Sequence, residues 1–197
     1  MPYSKFTLED VEQIFGLDEQ KAKLFEDISL IPATDWLLET LQKTKLIPAK
    51  SEKSRSELLI MPILLAVAEK NKHLITIFSG ENLEGDIQKD LNGECDYILS
   101  KSAKSFSLKA PILGLVEAKQ NIVENSMGQC VAQMLGARLF NERKNNTIPI
   151  LYGCVTNGDI WQFLRLKDKT IYIDVEKYYL DNPAQLLGVF QIIINQS

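Results

Sequence analysis

PILGLVEAK, residues 111–119, is the stretch on which the fold turns. From Ile112 to Val116 every residue is apolar or glycine, the pattern of a strand covered on both faces rather than one. The run ends in Glu117-Ala118-Lys119. Side chains alternate across a strand, so Glu117 and Lys119 are expected on one face and Ala118 on the other. An acid and a lysine are thus delivered together to the end of a buried strand, where an unanswered charge is costly. Two further Glu-x-Lys triplets, Glu19 to Lys21 and Glu142 to Lys144, lie in polar surroundings where solvation accounts for them.

On the N-terminal side, GECDYILS at 93–100 reads as a neighbouring strand with Asp96 inside it, and LITIF at 74–78 as another. The polar, glycine-containing ENLEGDIQKDLNG between them reads as a loop. Downstream, Val123 to Asn141 has helical spacing, with Met127, Val131, Met134, Leu135 and Leu139 as its apolar stripe. Strands come next at 148–156, 159–166 and 170–175, joined by Asn157-Gly158 and a Lys167 to Lys169 turn, and Pro183 opens a last helix reaching about Ile194. Trp161 and Phe163 alternate on the second of these strands and are expected in the core. Upstream, Thr7 and Asp10 form a capping box for a helix ending near Gly16; helical patterns also cover Asp18 to Ile28 and Asp35 to Leu46, which Pro48 stops. A longer helix from about Ser51 carries Glu57 and the buried positions Leu58, Ile60, Met61, Leu64, Leu65, Val67 and Ala68, with Pro62 expected to kink or divide it. The order predicts a single α/β domain over 1–197: a central mixed β-sheet flanked by helices, with an N-terminal helical extension over 1–50.

Composition narrows the chemistry. With 45% hydrophobic and 24% charged residues the chain falls in the ordinary globular range. The apolar run Leu58 to Val67 is about half of the ~20 residues a spanning helix needs, and MPYSKFTLED is no secretory signal, so no membrane partner and a cytoplasmic location are expected. Cys95, Cys130 and Cys154 form no CxxC pair and read as small buried side chains. His73 is the only histidine, which excludes His-ligated zinc sites, and no GxSxG elbow accompanies it. A net charge of −4 means that any nucleic-acid surface must be a local basic patch. Lys101, Lys104 and Lys109, interleaved with serines between the Asp96 and Glu117 strands, are the clearest such stretch, read either as a solvated loop or as phosphate contacts flanking the site.

Asp96 and Glu117 set the central question. Two carboxylates about 4 Å apart repel by roughly 4 kcal/mol at an effective dielectric near 20, so they share a proton or hold a cation. An oxygen-only donor set without histidine or cysteine suits Mg²⁺ or Mn²⁺. The competing reading is a structural Glu117–Lys119 ion pair.

The combination of Glu57 on a helix, Asp96 on a strand, VEAK at 116–119, a following helix with Gln129 and Gln133, and VTNGDIWQF at 155–163 resembles the PD-(D/E)xK nuclease superfamily. It is similar to the N-terminal nuclease region of type I restriction endonuclease subunits and related small proteins. The resemblance spans roughly residues 51–166, and Cys95 stands where the name-giving proline would be. It implies a restriction endonuclease-like fold with an αβββαβ core, and a hydrolase acting on DNA. Asp96 and Glu117 would be metal ligands, with the Ala118 carbonyl a third. Lys119 would orient the attacking water and stabilise charge on the phosphate. Glu57 would reach the metal through water or support a second ion, unless it is merely solvated. Gln129 and Gln133, four apart on one helix face, would hydrogen-bond Lys119 or the DNA backbone, or form a polar rim. Cutting both strands would favour a two-fold homodimer. The alternative function is a non-catalytic nucleic-acid-binding or assembly module that keeps the fold.

Overall fold

The computed structural model describes residues 3–121 and 123–196. Helix α1, Leu8–Phe15, begins with the expected reciprocal cap: Asp10 N–H donates to Thr7 Oγ1 at 3.1 Å and Thr7 N–H to Asp10 Oδ2 at 2.8 Å. Gly16 ends it in the left-handed region at φ 62°, where glycine carries no Cβ penalty. The next segment is not the expected helix. Asp18–Ala22 forms strand β1 at the sheet edge, although Glu19, Gln20, Lys21 and Ala22 are good helix formers. Helix propensity is a weak prior, and here the backbone finds its hydrogen bonds on a neighbouring strand. The chain then crosses the sheet, with Phe25 buried 5.5 Å from the Phe163 ring and 5.8 Å from that of Tyr152. The first fifty residues are therefore a working part of the sheet and core, not a purely helical preface.

Helix α2 covers Asp35–Thr44, and α3, Glu52–Arg55, is capped by Ser51. The expected long helix is divided rather than kinked: a π-helical turn, Ser56–Ile60, precedes Pro62, after which α4 runs Met61–Lys70. Pro62 has no N–H to donate and its ring crowds the preceding turn; the wider turn, closed by Met61 N–H to the Ser56 carbonyl, relieves both. Strand β2, Thr76–Asp86, is twice the expected length, turning through Ile87–Lys89 into β3, Leu91–Ser100. The polar stretch read as a loop is thus mostly hairpin. Its exposed side chains hide the strand pattern, while Leu83 and Leu91 alone are fixed in the core.

Strand β4 is Ile112–Ala118, α5 Met127–Arg143, β5 Ile150–Thr156, β6 Ile160–Lys167, β7 Thr170–Asp174, the short β8 Tyr178–Tyr179, and α6 Pro183–Asn195. The sheet order is β1-β7-β6-β5-β4-β3-β2 with β8 against β6; β4–β5 and β1–β7 pair parallel and the rest antiparallel. This is an open mixed sheet with helices on both faces. One core, under α1 and α5, contains Met127, Val131 and Leu135; the other, under α4 and α6, contains Leu64, Trp161, Phe163 and Phe190. No helix among the described residues is long and apolar enough to cross a membrane.

A β-bulge sets the orientation of the site. Leu99 pairs with Gly114 but Ser100 with Ile112, leaving Leu113 as an extra residue on β4. Ile112 faces the α5 core and Leu113 the α6 core; beyond the bulge Leu115 returns to the α5 side, while Val116 and Ala118 take the other. Were this sequence to alternate strictly from Ile112, with no bulge, Leu115 and Glu117 would both face α6.

Candidate functional site

Strand β3 stays paired with β4 only as far as Tyr97 opposite Val116, while β4 continues to Ala118 beside Thr156 of β5. The sheet forks there. Asp96, the next residue of β3, takes over the missing ladder contact: its Oδ2 accepts the Ala118 N–H at 2.7 Å. In an extended residue the carbonyl leaves on the same side as the N–H, so the Ala118 oxygen also faces the fork. Asp96 and Glu117 act on each other across it.

Glu117 is 2% exposed and Lys119 Nζ lies 2.7 Å from its Oε1. The same oxygen accepts from Gln129 Nε2, and Oε2 accepts from Gln133 Nε2 at 2.7 Å. Both glutamines thus hydrogen-bond Glu117, because one turn of α5 lies over the carboxylate, and among the described residues neither shows a hydrogen bond to Lys119, one of the two contacts expected of them. The Oε1 atom of Gln133 is buried without a partner. Burial, then repulsion from Asp96, pushes the Glu117 carboxyl up to about 7 despite Lys119 and Gln133. Burial also raises Asp96, eased by the Ala118 N–H and by Lys119. Lys119 is disfavoured by burial, but Glu117, Glu52 and Asp96 together outweigh that and raise it, so it stays an ammonium. The pair is unequal because the carboxylate lies deeper than the lysine head.

An open cleft of about 610 Å³ lies against this fork, lined by Asp96, Ala118, Tyr97, Glu94, Glu52 and Glu57 among others. Glu57 stands on the cleft wall, exposed, 3.9 Å from Lys53, and acts on Tyr97. The helical acid that acts on both Asp96 and Lys119 is instead Glu52. Sequence reading missed Glu52, Glu94 and the Tyr97 hydroxyl, which sits 2.5 Å from Ser56 Oγ. Glu52 directly follows the Ser51 cap, a position that usually signals only a helix start. Among the described residues, no group of three or more His, Cys, Asp or Glu side chains converges as a metal cluster.

The segment at 155–163 supports the cleft from behind. Arg55 reaches Asp159 at 2.7 Å and the Asn157 carbonyl at 2.8 Å, and Trp161 Nε1 donates to the Gly158 carbonyl at 3.0 Å. Gly158 has φ 91°, and a Cβ there would meet Leu59 at 2.7 Å, so the turn locks against the helical wall only with glycine. Trp161 and Phe163 are core, as expected.

The lysine loop lies elsewhere. Lys101, Lys104 and Lys109 follow the C-terminal end of β3 and precede the N-terminal end of β4, whereas Glu117 closes the other end of β4. Five residue steps from Ile112 to Glu117 span roughly 17 Å, so the loop does not flank the cleft. His73 is exposed near that same remote end, and the three cysteines are buried free thiols. Compared with protein-family models and with curated protein sequences, the chain has no match in either.

Proposed function

We propose that this chain is a Mg²⁺- or Mn²⁺-dependent phosphodiesterase of the restriction endonuclease-like type that hydrolyses DNA in the cytoplasm. The observation that carries the reading is the meeting of Asp96, Glu117 and Lys119 at the fork between β3 and β4, beside an open cleft. The donor set is all oxygen, with two interacting carboxyls and an inward-facing backbone carbonyl, which fits a hard divalent cation better than zinc or copper. Asp96, Glu117 and the Ala118 carbonyl would hold it. When bound, the cation supplies Lewis-acid polarisation of the phosphate and lowers the pKa of a water. Lys119, kept charged by its acidic neighbours, orients the nucleophile and offsets negative charge growing on the phosphate. Gln129 and Gln133 hold Glu117 in one rotamer, and Glu52 or Glu57 reaches the site across the cleft. A two-fold homodimer would present two such sites to a duplex.

A second reading, a non-catalytic nucleic-acid-binding or assembly module, draws support from the closed Glu117–Lys119 pair and the acidic cleft. Incubation of plasmid and single-stranded DNA with Mg²⁺ or Mn²⁺ separates the two. Cleavage that falls at least ~100-fold in both Asp96→Ala and Lys119→Ala is expected. Cleavage that survives both substitutions defeats the assignment. A Mn²⁺-dependent rise in Tm in the parent, absent in Asp96→Ala, without cleavage of any DNA, favours the second reading.

A further inference from the structure

The end of the sheet remote from the cleft carries the opposite charge. Thr76, Ser100, Ile112, Ile150, Lys167 and Thr170 stand side by side there by register, so everything joining these strands gathers on one face of the molecule. Asn141 ties the last turn of α5 to it through paired hydrogen bonds with the Ile112 N–H and carbonyl, at 2.7 and 2.9 Å. Lys72, Lys104, Lys109, Lys144, Lys167 and Lys169 all project from this end, all exposed, and none belongs to an ion pair among the described residues. Asp18, beside Thr170 by register, Glu142 and Asp168 are among the acids interspersed with them. In a chain of net charge −4 this is a separation of charge, because Glu52, Glu57, Glu94, Asp96 and Glu117 gather at the other end, with Lys53 and Lys119 paired among them.

The loop between β3 and β4 is held rather than loose. Lys101 N–H donates to the Pro111 carbonyl at 2.8 Å, and Ser100 Oγ to the Lys109 carbonyl at 2.5 Å. Ser105 N–H reaches Thr76 Oγ1 at 3.3 Å. At its outer edge Phe106 is fully exposed, and among the described residues its ring stacks on no other ring.

We infer that this basic end is a nucleic-acid-binding surface, with lysines contacting backbone phosphates and Phe106 stacking on an unpaired base. Charge complementarity names a polyanion. A single protruding ring offers a bilayer little apolar area, whereas one ring suffices to stack on a base, and the neighbouring serine and asparagine groups suit phosphate oxygens. The surface shares with the cleavage reading only the nature of the partner. Its test runs in EDTA, where the metal site is idle, so either reading can fail alone.

The probe is a fluorescein-labelled single strand of about 20 nucleotides, and its duplex, followed by anisotropy. With three or four phosphates neutralised, raising salt from about 50 to 200 mM is expected to weaken single-strand binding roughly 20- to 50-fold. The double variant Lys104→Glu/Lys109→Glu should lose at least ~10-fold for both probes. Phe106→Ala should lose about 5-fold or more for the single strand and leave the duplex within about 2-fold. Circular dichroism and Tm check that each variant is folded. No binding at about 50 mM salt, unchanged affinity in the folded double variant, or capture by phosphatidylserine vesicles without nucleic-acid binding would each overturn the proposal.

Discussion

Replacing Glu117 by glutamine tests the electrostatics of the site without needing a substrate. The carboxyl is raised from 4.5 to about 7, chiefly by burial and then by Asp96. At 1.36 kcal/mol for each pH unit, that difference corresponds to about 3 kcal/mol of folding free energy. Linkage gives the sign. Below pH 4.5 the group is protonated in both folded and unfolded chains, and its contribution is fully present; it is lost as pH rises through about 7, because the folded protein resists ionisation. The substitution also shifts stability by a constant amount, since Lys119, Gln129 and Gln133 all lose a carboxylate partner, so the informative quantity is the pH dependence of the difference between parent and variant. Urea unfolding in EDTA at several pH values between about 5 and 8 should show Glu117→Gln gaining about 3 kcal/mol relative to the parent across that window. Adding Mn²⁺ at the alkaline end should restore the parent and leave the variant unmoved. A difference that stays flat with pH would mean that Glu117 ionises freely, and the account of a strained carboxyl pair would be wrong.

Packing leads to three further expected outcomes. Gly128→Ala places a Cβ 2.2 Å from the Thr7 backbone, so α1 must separate from α5, and thermal unfolding should show a loss of about 3 kcal/mol or more. Asn141→Ala leaves the buried Ile112 N–H and carbonyl without their partner, and chemical denaturation should register a loss of roughly 2–4 kcal/mol. Thr7→Ala removes the capping box of α1 and should cost about 1 kcal/mol, measured in the same way.

Much of the architecture was legible because hydrophobic period and punctuation are local. The both-faces-apolar run before Glu117, the Asn157-Gly158 turn, the Thr7 cap and Pro183 at the start of α6 each announce their element within a few residues. The edge strand β1 and the distal half of the β2–β3 hairpin were not legible, because edge strands stabilised by backbone hydrogen bonds leave their side chains in water and show no period. In the site, the pairing of Glu117 with Lys119 could be read from alternation along one strand. Glu52 could not, since its relation to Asp96 depends on how α3 lies across the fork.

From residues alone, then, came an α/β chain with two acids and a lysine placed on adjacent strands, because strand geometry repeats every two residues. Only the tertiary structure decided which way they face, through the extra residue Leu113 on β4, and which groups surround them. It also decided that the lysine loop lies at the opposite end of the sheet from the carboxyls, since an antiparallel pair carries its connection away from the ends where Asp96 and Glu117 meet.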